Sequence, residues 1–279
     1  MNIGTWLKET HQKVNDISET GSLDAQVLLS SILHKPRSWV LAHLEYELSE
    51  TDISHLDEML TQLERSIPLA YIIGTSNFYG LEFYITTDVL IPRPETELLV
   101  EKALLWSQNH KFSGVVLDIG TGSGCIAISI AAHQPGIKCI GIDNSMAALK
   151  VAKRNSVLNQ VQNRCSFIHS DLTTSLGGKF QLICANLPYI PSHKLENLQV
   201  AKNEPIAALN GGNDGLDVIR RLLMDSVRIS ASEVCLLLEI EAGQGAAAKD
   251  LANKYYPSTE IKIEKDLAGN DRLLIIERL

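Results

Sequence analysis

The fold of this chain is indicated by the segment Val115–Cys125, which reads V-V-L-D-I-G-T-G-S-G-C. A mostly apolar run with the composition of a buried strand leads directly into three glycines at every second position. Because glycine has no Cβ, the main chain at Gly120, Gly122 and Gly124 can approach a ligand closely. The segment predicts a strand, a ligand-binding turn and a helix that starts at Cys125. A merely tight strand-to-helix turn is the alternative.

Strands and helices alternate outward from this segment. Such alternation predicts an α/β domain, in which a mostly parallel sheet is covered by helices on both faces. The last two strands are close enough in the chain to be antiparallel neighbours. The predicted strands are Val115–Ile119, Cys139–Asp143, Cys165–His169, Leu182–Ala185, Val234–Ile240, Glu260–Glu264 and Arg272–Glu277, and further helices are predicted over Ala147–Leu158 and Gln244–Tyr256.

The first 70 or so residues have a different pattern, which predicts a small helical bundle. In the stretch 51–63 the apolar residues recur at spacings of three and four, as on one face of a helix. Ser22 is predicted to cap a second, buried helix that contains Val27–Leu29. Around Tyr71 the pattern changes, and Phe78–Thr86 alternates aromatic and β-branched residues around a glycine, which predicts a hairpin between two domains.

Composition and charge narrow the classes of function. A hydrophobic fraction of 45% is that of a chain that buries a core. The net charge of -8 argues against affinity based on many phosphate contacts. The histidines and cysteines lack ligand spacing, so we expect no metal site and buried, reduced thiols. The N-terminus lacks a signal-peptide pattern and no apolar run has the length of a membrane span, so we expect a cytoplasmic protein.

Two further predicted strands end on side chains that suit a nucleoside ligand. Asp143 ends the second strand, where a carboxylate can accept both ribose hydroxyls; the alternative is a helix cap. Asp171 and Leu172 follow the third strand and would border an adenine, although Asp171 could also be a cap. Asp118, just before the glycines, is typical of sites for S-adenosylmethionine, whose sulfonium and amino group need an acidic neighbour more than a phosphate cradle.

The fourth strand runs into Asn186, Leu187, Pro188 and Tyr189, which we call the tetrad. A nitrogen conjugated to a π system is a poor nucleophile, so acceptors must hold its N–H groups while the methyl donor is aligned. The side-chain oxygen of Asn186 and the main-chain carbonyl of Leu187 can accept these N–H groups. Pro188 would stiffen the turn, and Tyr189 would offer an aromatic face to the planar target. An ordinary turn is the alternative reading of the tetrad.

At this point the chain resembles, over nearly its whole length, the protein-(glutamine-N5) methyltransferases that modify class I peptide chain release factors. The segment with two prolines around Arg93 and the Gly-Gly-x-x-Gly-Leu segment are more specific than the tetrad. The matching stretches are Pro68–Gly74, Val89–Glu97, Leu117–Gly124, Asn186–Ile190, Glu204–Pro205 and Leu209–Leu216.

The resemblance implies a Rossmann-like, class I S-adenosylmethionine-dependent methyltransferase fold with a seven-stranded sheet. It implies a helical domain over 1–74 that helps to dock the release factor, a hairpin linker over 75–92 and a methyltransferase domain over 93–279. The cofactor would be S-adenosylmethionine, leaving S-adenosylhomocysteine as product. The implied cofactor contacts are Gly120, Thr121, Gly122, Ser123, Gly124, Asp143, Asp171, Leu172 and Asn186.

The same resemblance implies that the glutamine side chain is received by Asn186, Leu187, Pro188 and Tyr189, with Asn186, Pro188 and Tyr189 as the catalytic residues. The expected partners are the release factors, without a membrane or direct nucleic-acid contact, and the expected state is a monomer. The family usually has proline at the position of Leu187, and the rRNA adenine-N6 dimethylases have leucine there. Methylation of adenine in RNA or DNA is therefore the alternative function.

Two other features leave alternatives open. Arg93 could pair with Glu95 or Glu97, or it could line the mouth of the cofactor site. The stretch 195–213 is long and polar for a simple connection, which suits a loop over the substrate. It could also be a flexible crossover.

Overall fold

The computed structural model describes residues 1–18 and 20–278. These form two compact units, Met1–Thr75 and Ser76–Leu279. Within the described residues, none of the helices combines the length and the apolar character that crossing a membrane requires.

The first unit is a bundle of helices around its own apolar core. Leu56, Leu60 and Leu63 are buried in that core, as the helical spacing predicts. The fourth helix begins with a reciprocal capping box between Ser49 and Asp52. The helices are α1 (Ile3–Asn15), α2 (Gly21–Leu33), α3 (Arg37–Ala42), α4 (Glu50–Glu64) and α5 (Leu69–Ile73).

The start of α2 corrects one sequence prediction. Ser22 does not cap the helix, because α2 already begins at Gly21 with Thr20 at the cap position. A Cβ at Gly21 would lie 2.5 Å from the carbonyl carbon of Val14, at the end of α1. The two helices therefore approach each other so closely that only glycine fits at this position.

The second unit begins within the hairpin, directly after Thr75, and continues as alternating strands and helices. Short 3-10 turns cover Pro94–Thr96 and Ile206–Ala208. The strands are β1 (Thr75–Phe78), β2 (Leu81–Tyr84), β3 (Val115–Ile119), β4 (Lys138–Asp143), β5 (Cys165–His169), β6 (Phe180–Ala185), β7 (Ser230–Glu239), β8 (Glu260–Lys265) and β9 (Asp271–Arg278). The helices are α6 (Glu97–Asn109), α7 (Cys125–His133), α8 (Met146–Leu158), α9 (Ser192–Leu195), α10 (Val200–Asn203), α11 (Asp217–Ile229) and α12 (Gly245–Tyr255).

The seven strands β3 to β9 form one sheet in the order β5-β4-β3-β6-β7-β9-β8. The pairs from β5 to β7 are parallel, and β9 runs antiparallel to both β7 and β8. This confirms the predicted α/β fold, its mostly parallel seven-stranded sheet and the antiparallel final strands. The strand order also reverses direction between β3 and β6, which is where open α/β sheets form a ligand crevice.

Strand β7 is longer than predicted, because it begins at Ser230 and not at Val234. Its first residues are mostly polar and give no apolar signal, but Ser230 pairs with Phe180 of β6. The carbonyl of Ser232 also accepts a hydrogen bond from Nε of Arg278 at 2.7 Å. Main-chain pairing and an arginine contact therefore extend the strand beyond its apolar part.

One buried asparagine fastens the hairpin to the rest of this unit. The turn residues Tyr79 and Gly80 have φ values of 49° and 73°, as a two-residue hairpin turn requires. Asn155 of α8 accepts from the N–H of Tyr84 at 2.7 Å and donates to the carbonyl oxygen of Tyr84 at 3.0 Å. It also donates to the carbonyl oxygen of Ser123 in the glycine loop at 2.9 Å. A single side chain thus joins the hairpin, α8 and the loop.

We expect Asn155→Ala to lower the free energy of unfolding by about 3 kcal/mol, because it leaves buried main-chain groups without partners. For a unit of this size such a loss lowers Tm by roughly 6–12 °C, which calorimetry measures. Asn159→Ala is the matched control, since the more exposed Asn159 makes one bond to the hairpin, to Glu82, at 2.9 Å. Equal Tm losses in the two variants would contradict the role given to Asn155.

Candidate active site

A cavity of about 260 Å³ lies at the carboxyl ends of β3, β4, β5 and β6, within the second unit. Its walls come from the glycine loop after β3, the residues that follow the next three strands, the segment 88–96, the 3-10 turn after Pro205 and helix α11. This is the position in which open α/β sheets bind their ligands.

The glycine loop forms the base of the cavity, and its glycines have different tasks. The N–H groups of Gly120 and Thr121 both donate to the carbonyl of Ile142 at 2.8 Å, which holds the loop on β4. Gly122 has a φ of 54°, and a Cβ there would meet only one atom, a carbonyl oxygen at 4.0 Å. The four residues 120–123 line the cavity.

Gly124 is the exception in the loop, because it does not line the cavity. It stands at the N-cap of α7 with a φ of 83°, and a Cβ there would lie 2.7 Å from Ile128 and 3.2 Å from Cβ of Ala152. Gly124 therefore lets α7 pack against α8. Its contact with the cofactor stays a prediction, and what the structure shows for Gly124 is the packing of the two helices.

Asp118 is fully buried beneath the loop and does not line the cavity. Its Oδ2 accepts from the hydroxyl of Thr121 at 2.6 Å and from the N–H of Ala127 at 3.2 Å. Burial raises the pKa of Asp118 to about 6, although both donors oppose the shift. The carboxylate braces the loop and the first turn of α7, where the sequence had suggested an acidic neighbour for a bound ligand.

Asp143 lines the cavity at the end of β4, as predicted. Its Oδ2 accepts from the N–H of Gly122 and its Oδ1 from the N–H of Ser145, each at 2.9 Å. The cap of α8 is Ser145, whose hydroxyl oxygen accepts from Ala148, so Asp143 is not the helix cap. Burial raises the pKa of Asp143, and these main-chain donors oppose that shift.

Asp171 and Leu172 also line the cavity, but their surroundings differ. Asp171 lies at the exposed rim, where its Oδ2 accepts from Arg221 of α11 at 2.6 Å. Leu172 is buried and has a φ of 49°, a left-handed conformation that a branched side chain rarely adopts. Such strain is common where a backbone is held to shape a site.

Three of the four tetrad residues line the cavity: Asn186, Leu187 and Pro188. Nδ2 of Asn186 donates to the hydroxyl of Thr96 at 3.0 Å, which leaves Oδ1 of Asn186 as the acceptor. The side chain of Leu187 is buried, and a Cβ on Gly120 would lie 2.9 Å from its Cδ2. Leu187 therefore packs directly against the glycine loop.

Tyr189 does not line the cavity. Its hydroxyl donates to Oε1 of Glu239 at 3.2 Å, and burial, followed by the charge of Glu239, raises the pKa of the phenol. Its carbonyl accepts from Nε2 of Gln244 at 3.0 Å. The ring is therefore anchored behind the tetrad, on the side of β7.

The Gly-Gly-x-x-Gly-Leu segment supports the main chain of the tetrad. A Cβ at Gly211 would lie 2.7 Å from Cα of Tyr189 and 2.8 Å from the carbonyl oxygen of Pro188. The N–H of Gly211 donates to the carbonyl of Ile190 at 2.9 Å. Glycine is needed at position 211 because two main chains pack directly on each other.

Arg93 forms an ion pair with Glu204, and so neither Glu95 nor Glu97 is its partner. Nη2 of Arg93 lies 2.5 Å from Oε1 of Glu204, whose side chain is only 3% exposed. Oε2 of Glu204 also accepts from the N–H of Ile91 at 3.3 Å. Arg93 also lines the cavity. The ion pair therefore connects the cavity wall at Arg93 to the chain just before the 3-10 turn Ile206–Ala208.

Sequence reasoning missed Thr96, Glu204, Arg221 and Glu239. Glu204 was part of a matched stretch, but its partner Arg93 lies 111 positions away. Glu239 left one signal, an acidic residue inside the apolar run 234–240. Burial raises the pKa of Glu239 to about 7, and the nearby Thr96 hydroxyl, the charge of Arg272 and the bond from Tyr189 oppose that shift.

Two family models match the chain in separate parts. Residues 95–204 match the Methyltransferase small domain, and residues 5–74 match the PrmC N-terminal domain.

Solved structures with low sequence identity to this chain share the fold of its second unit. A methyltransferase from Pyrococcus furiosus superposes with a TM-score of 0.53 at 17% identity, over 72% of this chain and 90% of that one. The hMettl16 catalytic domain, solved with the MAT2A 3'UTR hairpin 6, gives 0.57 at 15% identity over 82% of each chain.

Curated relatives align with both units at higher identity. A release factor glutamine methyltransferase of Coxiella burnetii (strain RSA 493 / Nine Mile phase I) is 36% identical over 275 residues, which is 97% of each chain. The protein with the same name in Enterococcus faecalis (strain ATCC 700802 / V583) is 38% identical over 242 residues, which is 86% of each chain. With relatives of this identity over nearly its whole length, the chain belongs to the release factor glutamine methyltransferase family.

Proposed function

We propose that this protein transfers a methyl group from S-adenosylmethionine to the side-chain nitrogen, N5, of the glutamine in the Gly-Gly-Gln motif of class I release factors. The observation that carries the proposal is the orientation of Asn186 in the cavity wall. Because its amide nitrogen is bound to Thr96 at 3.0 Å, its amide oxygen is left to accept an N–H of the incoming glutamine.

The cavity fits the proposed cofactor in its chemistry. The open space at Gly122 leaves room for a ligand where a Cβ would project, and Asp143, which lines the same wall, would accept the ribose hydroxyls. Gly120, Thr121, Gly122 and Ser123 would hold the amino acid part, and Asp171 and Leu172 would border the adenine. When bound, S-adenosylmethionine supplies an electrophilic methyl group on a positively charged sulfur.

The protein's own contribution is alignment of the glutamine amide. The Asn186 side-chain oxygen and the Leu187 carbonyl accept its two N–H groups, and this draws electron density toward the nitrogen. Pro188 restricts the turn that holds these acceptors, and Tyr189 limits the movement of the tetrad from behind. Holding the reacting groups in line accounts for most of the expected rate gain. The nitrogen loses one proton on methylation, and we propose that this proton leaves to water.

Leu187 replaces the usual proline of the family without removing an acceptor, since the role given to this position uses only the main-chain carbonyl. Its buried side chain, packed on Gly120, provides a second restraint on that carbonyl. The relatives are release factor methyltransferases in name, so they do not favour the adenine alternative.

The match of residues 5–74 to the PrmC N-terminal domain supports a docking role for the first unit toward the release factor. We further propose that the protein acts as a monomer in the cytoplasm, where translation terminates, and that it binds no nucleic acid directly.

The first test is transfer of a labelled methyl group. We expect the protein, given labelled S-adenosylmethionine and a release factor, to label the glutamine of the Gly-Gly-Gln motif, as located by mass spectrometry. Replacing that glutamine by asparagine should abolish the label, because the shorter amide does not reach the acceptors. Label that persists after the replacement, or label on an added adenine-containing RNA, would contradict the proposed function.

The second test separates catalysis from cofactor binding. We expect Asn186→Ala to lower kcat by about 100-fold or more, the scale of losing a group that contacts the reacting atoms. The Kd for S-adenosylmethionine should change by less than about threefold, measured by calorimetry. Asn159→Ala serves as the control for loss of an asparagine away from the cavity. An equal loss in kcat and in cofactor affinity would mean that Asn186 only binds the cofactor.

The third test concerns the ribose. We expect Asp143→Ala to weaken S-adenosylmethionine binding by about 10- to 100-fold, because hydrogen bonds to a charged acceptor contribute about 1.5–3 kcal/mol. Asp171→Ala should weaken it much less, since Asp171 is exposed and paired with Arg221. The role of Asp143 is wrong if both variants bind the cofactor equally well while they remain folded.

A further inference from the structure

Glu239 is a buried carboxylate directly behind the tetrad. It ends β7, and the preceding Leu238 pairs with Ala185, the residue before Asn186. Glu239 is 1% exposed and does not line the cavity. Its Oε1 accepts from Tyr189 at 3.2 Å, and its Oε2 has no hydrogen-bond partner among residues 1–18 and 20–278. An unpartnered buried carboxylate oxygen is costly and calls for a reason.

Thr96 lies between Glu239 and the catalytic asparagine. Its buried hydroxyl oxygen accepts from Nδ2 of Asn186, and the hydroxyl is close enough to Glu239 to lower the pKa of that carboxyl. A hydroxyl has a single proton to donate. The direction of that proton decides whether Thr96 can act as acceptor for Asn186.

We propose that Glu239 is a positioning residue for methyl transfer: it orients Asn186 through Thr96 and holds Tyr189 directly. This inference rests on the proposed function and extends it to a residue outside the cavity. Neither Glu239 nor Thr96 contacts the glutamine or the cofactor in this scheme.

The scheme follows from donor and acceptor chemistry. An ionised carboxylate can only accept, so Tyr189 donates to Oε1 of Glu239, and the hydroxyl of the nearby Thr96 turns its proton toward the same carboxylate without completing a hydrogen bond to Oε2. The hydroxyl oxygen of Thr96 then accepts an N–H of the Asn186 side-chain amide, so Oδ1 of Asn186 faces the target. If position 239 can itself donate, the proton of Thr96 is free to turn toward Asn186. The Asn186 amide can then rotate so that its oxygen accepts from Thr96. Its NH₂ group, a donor, would in that orientation face the N–H donors of the target.

The conservative variant Glu239→Gln tests this scheme, since its amide keeps the shape of the side chain but adds a donor. We expect kcat to fall by about 10- to 100-fold, less than for a residue that contacts the reacting atoms. The Kd for S-adenosylmethionine and the KM for the release factor should stay within about threefold, because neither ligand touches Glu239. Thermal unfolding reports whether the variant is folded.

Variants at Thr96 provide the matched comparison. Thr96→Val removes the acceptor of the Asn186 amide at constant shape and should reproduce the fall in kcat, whereas Thr96→Ser keeps the hydroxyl and should restore most of the rate. The double variant Glu239→Gln with Thr96→Val should be no slower than Glu239→Gln alone, since Thr96 acts only through Asn186. Additive losses in the double variant would overturn the proposal.

The pH profile gives a readout that a purely structural role would not change. The titratable and charged groups that face Glu239 are Tyr189, Cys125, Arg272 and Glu95, and burial raises the pKa values of Tyr189 and Cys125, so neither of these two titrates near neutral pH. The wild-type kcat should fall as the pH drops below about 7, when Glu239 takes up a proton and becomes a donor. Glu239→Gln should lack that limb. Identical profiles for the two proteins would count against the proposal.

A spectroscopic arm separates this inference from the proposed function. In the protein without cofactor, the side-chain NH₂ signal of Asn186, assigned with Asn186→Ala, should shift in Glu239→Gln and in Thr96→Val but not in Thr96→Ser. If the wild-type protein labels no release factor, the proposed function fails while these signals still test the orientation of Asn186. If wild-type transfer is normal and Glu239→Gln leaves kcat and the Asn186 signal unchanged, only the positioning role is overturned.

Discussion

A fully buried carboxylate holds together the end of β3, the glycine loop and the first turn of α7. Asp118 accepts from Thr121 in the loop and from Ala127 in the helix. Inside the protein these hydrogen bonds are stronger than in water, and they offset part of the desolvation that raises the pKa of Asp118. In the loop that Asp118 holds in place, the N–H of Gly122 donates to Asp143, and the main chain of Gly120 packs against the side chain of Leu187. The cofactor wall and the tetrad therefore share one support.

The second support lies on the opposite side of the tetrad, at the end of β7. Glu239 and Gln244 bind the hydroxyl and the carbonyl of Tyr189, and Gly211 packs on its Cα. The tetrad main chain is thus enclosed between a glycine loop in front and a second glycine segment behind. The Leu187 side chain approaches the main chain at Gly120, and the tetrad main chain approaches the main chain at Gly211, so both positions need glycine although only the first segment lines the cavity.

The sequence was sufficient for features that depend on local pattern. Apolar runs and glycines located the strands from β3 to β9, and the position of Asp143 at the end of a strand puts it in the cavity wall, while its contact with a ribose stays a prediction. Contacts between distant segments could not be predicted in this way. The pairing of Arg93 with Glu204 joins segments far apart in the chain, and the packing role of Gly124 depends on how closely α8 approaches α7. Such contacts depend on the packed structure, and they produce no periodic pattern in the sequence from which they could be predicted.

Leu187 shows why a short motif does not by itself choose a substrate. The acceptors that the tetrad offers, one amide oxygen and one main-chain carbonyl, suit any planar nitrogen with two N–H groups, whether it belongs to glutamine or to adenine. Discrimination must then come from groups around the acceptors, because a site rejects a competitor best when binding it would leave buried polar groups unpaired. In this chain the surrounding wall is joined by the Arg93–Glu204 pair to the segment with the 3-10 turn at the cavity. A leucine at position 187 is compatible with glutamine as substrate because its side chain packs on the glycine loop, whereas the proposed mechanism uses only its main-chain carbonyl for recognition, together with groups of that wall.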